Sequence, residues 1–329
     1  MNRNVNLRTI TTSGSLDSFT TTYEGEYKKQ IISAALLSGD TLDKGGVTIK
    51  PNVQYKEVIK KIDSGDILTS ATCDFSATAD VIDIEERVLE VVQQQVNLEV
   101  CKLDFTSDYL ALEQGFSAYK NLPTSFADFI MAHVVAKVAE KTEQNIWGGV
   151  SATDGYDGLT VLMAADSDVN DVTTSETAFA ASTIIDELGK LVDTIPSAVY
   201  GKDDLKLYLP TIAYKAYVRA LGGFGAVNAS GGGGAAGTDN KGSQWFNGQE
   251  LSFEGIPVFK APGMPADHMV AAETSNLFFG TNLVSPDHTE AKILDMSDLD
   301  GSNNARIIMR LAGGTQFGNA SDIALYTLA

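Results

Sequence analysis

The sequence predicts an α+β fold, on three observations. Ser125 to Trp147 repeats apolar residues at helical spacing over about six turns. Val96–Val100 and Ala305–Leu311 alternate apolar and polar residues with the period of a strand. Between 176 and 221 the pattern runs helix, strand, helix, and further strand patterns follow, which is the order of an α+β unit rather than of a regular βαβ repeat.

In chain order, residues 1 to about 23 are rich in Thr, Ser and Asn and read as an extended arm. Glu24 to Leu37 reads as a short helix with Ile31, Ile32, Ala35 and Leu36 on one side. Ser38-Gly39-Asp40 ends it, and Gly45-Gly46 adds a second break. Val47, Ile49, Val53 and Tyr55 suggest strands interrupted at Pro51. A polar segment, Asp63 to Asp80, separates these from strand-like Val81 to Val100, so a long hairpin with a polar tip is expected.

Ser125 is a good N-cap for the long helix, and Asp128 stands three residues on. Phe126, Phe129, Ile130, His133, Val134, Val138 and Ile146 form its apolar face, and Gly148-Gly149 stops it. At about 1.5 Å per residue it exceeds 30 Å, long enough for the spine of a domain. Asp154–Gly158 reads as a loop. A second helix, 176–194, presents Ile184, Ile185, Leu188, Leu191 and Val192, and Pro196 closes it. Leu205–Leu209 reads as a strand, and Pro210 opens a third helix over 211–221. Residues 222–242, with Gly231, Gly232, Gly233 and Gly234 in a row, have few side chains to bury and read as a loop. Phe253-Glu254-Gly255-Ile256 is a hairpin turn, and strands follow at 269–272, 277–279, 305–311 and 323–328.

Composition narrows the function classes. The 329 residues carry a net charge of −19. Phosphate backbones are bound by clustered Lys and Arg, so an acidic chain without a basic stripe is a poor sequence-specific DNA binder. The same charge suppresses non-specific adhesion to nucleic acid, which suits a container for it. No apolar run approaches the roughly 20 residues that cross a bilayer, and Met1–Asn6 has no apolar signal-peptide core. Two cysteines, Cys73 and Cys101, are too few for a disulfide framework; they read as reduced thiols, with a bridge in a mature extracellular particle as the alternative.

The residue patterns of catalysis and metal binding are incomplete. His133 falls among apolar helix residues and reads as packed in a core or interface. His268 follows Asp267 and His288 follows Asp287; neighbours along a strand face opposite ways, so neither pair makes a natural dyad. Asp166-Ser167-Asp168-Val169-Asn170 opens like a calcium loop, but Asp171 stands where glycine is needed and Thr177 where glutamate is needed. Gly223-Phe224-Gly225 lacks its third glycine and follows a helix rather than a strand. No catalytic residue, cofactor or metal is assigned. The basic residues worth watching are Lys56, Lys60 and Lys61 in the hairpin, and Arg306 and Arg310 on one face of a strand. The lysines read as a solvated face or as a patch for an acidic neighbouring subunit, and the arginines as pairing with carboxylates within the subunit or across an interface.

The order arm, β excursion, long helix, α+β unit with a Gly-rich loop and returning strands resembles the Hong Kong 97-type capsid fold of tailed bacteriophages. Local sequences add to the resemblance: Ile49–Lys56 through Cys73-Asp74-Phe75, Val96–Phe105, Glu143–Gly149 with Asp157-Gly158-Leu159, Gly255–Val258 with Pro262–Pro265, and Ser275–Thr281. It implies an N-terminal arm (1–45), an E-loop with flanking strands (46–95), a P-domain holding spine helix 125–147 (96–175), an A-domain whose loop 222–242 reaches the shell axis (176–275), and returning strands (276–329). The implied function is a major capsid subunit, not an enzyme, that forms the pentamers and hexamers of an icosahedral shell around double-stranded DNA. Its implied partners are other copies of itself, a portal, a separate scaffolding protein and decoration proteins; the DNA is contacted non-specifically and no membrane is involved. Its place is the virion, after assembly in the host bacterial cytoplasm. An encapsulin-like nanocompartment shell shares the fold, and an α/β enzyme is the alternative from another class.

Overall fold

A computed structural model of the chain describes residues 40–64, 70, 73, 82–101, 126–172, 177–221, 251–282, 291–296 and 304–328, with backbone alone for 63–64, 82–83, 126–132, 291–293, 295 and 305. The expected helix over 24–37 and the Gly231–Gly234 run lie outside them. Two compact units divide the chain, one drawing on 93–139 and 282–312, the other on 39–92, 140–281 and 313–329.

The second unit opens with a helical turn, α1 (Asp40–Asp43), where the sequence suggested only a helix end. Strand β1 (Thr48–Lys50) and the ribbon β2 (Lys56–Ser64) and β3 (Ile82–Glu90) follow. Pro51-Asn52 separates β1 from β2, with Asn52 at φ 62°, a left-handed turn that asparagine tolerates. Buried Val91 divides β3 from β4 (Val92–Cys101) and donates its N–H to Tyr55 O at 2.9 Å, so the expected single run is two strands.

Helix α2 (Phe126–Gly148) matches the expected spine within a residue. Its last turns are closely packed: Glu143, Asn145, Ile146 and Trp147 are all buried. His133, expected among packed residues, is exposed. Two short helices follow, α3 (Ser151–Asp154) and α4 (Leu159–Ala165), on either side of the expected loop, which holds over 155–158; α4 stands where a polar stretch was expected. Leu159 and Met163 bury α4, while Gly158 sits so close to the end of α2 that a Cβ there would lie 2.4 Å from Trp147 O.

The core of this unit is a six-stranded sheet carrying helices α5 (Ile184–Asp193) and α6 (Thr211–Leu221). Its order is β5 (Asn170–Asp171), β13 (Ala324–Thr327), β9 (His268–Glu273), β6 (Leu205–Leu209), β8 (Ile256–Lys260), β7 (Leu251–Phe253). Ile184, Leu188, Leu191 and Val192 of α5 are buried against it, as are Ala213, Ala216 and Tyr217 of α6. Ile185, placed on the same face by the sequence, is exposed. The helix begins later than expected because Thr183 Oγ1 bonds to Ala178 O at 2.7 Å and turns the preceding chain. The β7–β8 turn is Glu254-Gly255, both at positive φ, as a two-residue hairpin requires. In the same unit β1 pairs parallel with β10 (Leu277–Thr281), which pairs antiparallel with residues 313–317 of β12 (Asn304–Phe317).

Under the six-stranded sheet, Glu187 is buried and accepts hydrogen bonds from Tyr326 Oη at 2.5 Å, from Lys190 Nζ at 2.9 Å and from the Thr177 hydroxyl. Burial pushes its carboxyl up, but these donors together outweigh burial and hold it below the ordinary glutamate range. Tyr326→Phe will cost about 1.5–3 kcal/mol, the worth of a hydrogen bond to a charged group. A depressed carboxyl contributes stability above its unfolded pKa and loses it as pH falls through the folded value. Urea denaturation will therefore show the gap between variant and wild type narrowing on acidification through that range.

In the first unit β11 (Ala291–Asp295) pairs antiparallel with residues 305–309 of β12, and β4 pairs with β12 as well. Ile307, Met309 and Leu311 are buried while Arg306 and Arg310 are exposed, the alternation the sequence gives. In β4 the alternation is weaker, because Leu98 is exposed beside Asn97 and Glu99.

Candidate functional site

Nine residue pairs join β2 to β3, and the register decides what the ribbon presents. Side chains alternate across a strand, so Lys56, Val58, Lys60 and Ile62 share one face with their partners Glu90, Val88, Glu86 and Ile84. On that face Val58, Ile62, Ile84 and Val88 are exposed, Ile62 by 72% and Ile84 by 57%. Lys56 and Glu90 pair at 3.0 Å, Lys60 and Glu86 at 3.1 Å. Two apolar cross-strand pairs thus alternate with two ion pairs. Glu90 raises the Lys56 ammonium above its ordinary value.

The other face holds the ribbon to the body at its root. Leu89 is fully buried, and Arg87 reaches Asp166 at 2.7 Å with its guanidinium 4.4 Å from the centre of the Phe317 ring. Burial pushes the Asp166 carboxyl up, but the Asp168 N–H and Arg87 outweigh it and hold it low. Gln316 Nε2 donates to Val88 O at 3.0 Å. Close packing at β3 and Val91 also demands glycine. A Cβ at Gly280 would lie 2.8 Å from the Val91 side chain and one at Gly314 2.0 Å from Glu90 O.

The residues singled out in the sequence fall in two places. Lys56, Lys60 and Lys61 are together in β2, each already bound to a glutamate of β3, Lys61 to Glu85 at 3.5 Å. Arg306 lies in the other unit and holds Glu99 at 2.9 Å; Arg310 is exposed two residues along the same face of the strand. The resemblance implies arms over 1–45 and 47–95 whose apolar residues are exposed in a lone subunit; in the ribbon the register picks out which ones, the apolar half of the face shared with Lys56 and Lys60. Its signal was present: Val58 and Ile62 recur at even spacing with lysines between them.

Two of the three histidines fall among the described residues. His268 Nδ1 lies 2.7 Å from Asp267 Oδ1, a contact the opposite-face argument missed, because Asp267 is in the turn before β9 rather than in the strand. His288 lies outside the described residues. No group of three or more His, Cys, Asp or Glu suited to a metal occurs among the described residues. Cys73 is exposed and Cys101 half-buried, both free thiols.

No family model matches the chain, and no curated protein matches it. Solved structures do. A chain of the capsid of an empty GTA particle is 14% identical and superposes with a TM-score of 0.53, covering 94% of each chain. A chain of the capsid of Myoviridae phage XM1 is 12% identical at a TM-score of 0.54, covering 88% of this chain and 92% of its own. A chain of the satellite phage P4 procapsid, a particle that includes the size determination protein Sid, is 12% identical at 0.53, covering 91% and 98%. With helix and sheet in this order over nearly the whole length, the chain carries the fold of phage capsid proteins.

Proposed function

We propose that this chain is the major capsid subunit of a tailed bacteriophage, with no catalytic role, assembling into the pentamers and hexamers of an icosahedral shell around double-stranded DNA. The correspondence with capsid chains across 94% of both lengths carries the reading. In it, α2 is the spine helix of the P-domain, the β2–β3 ribbon is the E-loop, and the six-stranded sheet with α5 and α6 is the A-domain. Gly231–Gly234 then belongs to the loop at the shell axis. Portal, separate scaffolding and decoration proteins are the further partners, and the host bacterial cytoplasm is the place of assembly.

The ribbon face is the subunit contact in this reading. Fully burying a Val or Ile side chain is worth about 1.5–3 kcal/mol, before the ordering costs of association. Four such side chains stand exposed in one row. Lys56 and Lys60 meet a neighbour already neutralised by their own glutamates, so they set register more than strength, while Lys61, paired with Glu85, stands on the opposite face of the ribbon. Arg306 and Arg310 remain contact candidates on the other unit.

The test is to express the full chain, alone and with candidate scaffolding proteins, and to follow it by light scattering and negative-stain microscopy. Closed shells, or rings of five and six, are expected. A persistent 35.0 kDa monomer under both conditions refutes the proposal.

A further inference from the structure

Glu143, in the penultimate turn of α2, is a buried carboxyl that the assembly reading does not use. Its Oε2 accepts the Thr41 N–H at 3.0 Å, and its Oε1 accepts the Thr41 hydroxyl at 2.5 Å. The Gly263 N–H is a third donor. Trp147, one turn further on, donates its Nε1–H to the same Thr41 hydroxyl at 2.8 Å. Thr41 and Trp147 are wholly buried. Position 263 must be glycine, since a Cβ there would lie 2.1 Å from Glu143 O. The cluster ties the segment 40–46 to the end of α2. Tyr208 Oη and Lys206 Nζ extend the tie from β6, donating to Gly46 O at 2.6 Å and Gly45 O at 3.1 Å.

None of the donors to Glu143 named here is a cation. On the tied segment stand Asp40, Asp43 and Lys44; Asp40 repels the carboxylate, and Lys44 is drawn to Asp40 at 3.7 Å while more than half exposed. On α2 the neighbouring charges, Glu140 and Lys141, are exposed, and Lys141 pairs with Asp154 at 2.9 Å. From β6 come Lys206 and the buried phenol of Tyr208, both engaged with backbone carbonyls. The turn 261–265, Ala-Pro-Gly-Met-Pro, carries no charge.

We propose that Glu143 and Thr41 form a proton-operated clamp that holds residues 40–46 against the end of α2, tightest with the carboxyl protonated and looser once it ionises. The short oxygen–oxygen contact serves both states. Protonated, Glu143 donates to the Thr41 hydroxyl oxygen, whose other lone pair takes the Trp147 N–H; the Thr41 hydroxyl hydrogen gives up its bond to Oε1, and Oε2 keeps the Thr41 N–H. Ionised, Thr41 donates instead, and a negative charge lies buried with Asp40 nearby. Burial pushes the Glu143 carboxyl up, and the Thr41 and Gly263 donors recover only part of the shift. Opening the clamp returns the group to water and its ordinary value. The closed form therefore binds the proton more tightly. Its extra stability is complete below the ordinary glutamate pKa and is lost as pH rises through the raised value.

Hydrogen exchange on the unassembled full chain, read by mass spectrometry from about pH 4 to pH 8 and corrected for intrinsic rates, tests the clamp apart from any shell. In the wild type, protection of peptides spanning 40–47 will fall by up to ~tenfold per pH unit between the two pKa values and then level off. Glu143→Gln, neutral at every pH, will give a flat profile there. The same slope in both proteins overturns the clamp. Should Glu143→Gln not fold, Thr41→Val decides: losing the hydroxyl donor raises the carboxyl further, so the fall moves to higher pH, and an unmoved profile overturns the clamp.

Discussion

Ile62→Asp will abolish shell formation and leave the subunit folded. Ile62 is the most exposed of the ribbon's apolar side chains, at 72%, so in the lone subunit the change is a surface substitution worth within about 0.5 kcal/mol. In the proposed shell a neighbour covers the same position, and an unpaired carboxylate there costs several kcal/mol in desolvation. The cost recurs at every copy of the contact. The control is Lys60→Ala on the same face. It breaks an exposed ion pair with Glu86, worth about 0.2–1 kcal/mol, and shells should still form. Light scattering and microscopy of both variants, with circular dichroism for the fold, make the comparison. If Ile62→Asp assembles normally, or if Lys60→Ala fails as completely, the apolar face is not the contact.

The contrast between those residues marks what the sequence could and could not reveal. A lysine cluster is visible in the string of letters, and it reads either as a solvated face or as a patch awaiting an acidic partner. Pairing register is not visible there. Only the alignment of Lys56 with Glu90 and Lys60 with Glu86 shows that the charges are satisfied at home and that Val58, Val88, Ile62 and Ile84 are left uncovered. A two-stranded ribbon exposed on one face gives little alternation of burial to betray itself, since apolar and charged residues share that face.

Where the chain forms ordinary core, the letters were enough. The bounds of β6 and α6 follow from an apolar strand, Pro210 and helical spacing, all local signals. The α2 helix is legible for the same reason. Its function as an anchor is not, because Glu143 reads as one more polar residue on a helix. Its burial depends on Thr41 and Gly263, 102 residues before it and 120 after. The two short helices after it, of four and seven residues, are too brief to show a helical period in the letters. Gly148-Gly149 reads as the helix stop, and packing adds a reason for glycine there: a Cβ on Gly149 would sit 2.7 Å from Asn145 O. Ile185 failed in the opposite way. Apolar and at helical spacing, it was assigned inward, yet the helix starts late and turns it outward at 46% exposure.

The largest loss of stability from a single methyl group will come at Gly314, beside a position that should tolerate the same change. Gly313 and Gly314 follow one another in β12, and neither has positive φ, so backbone conformation does not separate them. Space does. A Cβ on Gly314 would lie 2.0 Å from Glu90 O and 3.2 Å from Val91 Cα, both main-chain atoms of the segment that roots the ribbon. No rotamer change relieves that, so β12 must move away from Glu90 and Val91. A Cβ on Gly313 would meet only ring edges, Tyr156 Cε1 at 3.3 Å and Phe279 Cζ at 3.4 Å, which can yield by a few tenths of an ångström. Overpacking typically costs about 1–3 kcal/mol. Gly314→Ala should reach the top of that range or pass it, and Gly313→Ala should stay near the bottom. Urea denaturation of the two variants gives the difference directly, and equal midpoints would refute it. Hydrogen exchange adds the structural half of the expectation. In Gly314→Ala the loss of protection should concentrate in 82–91, where Gln316 and Arg87 otherwise hold the ribbon root, because strain at Glu90 O is relieved most cheaply by letting that root go.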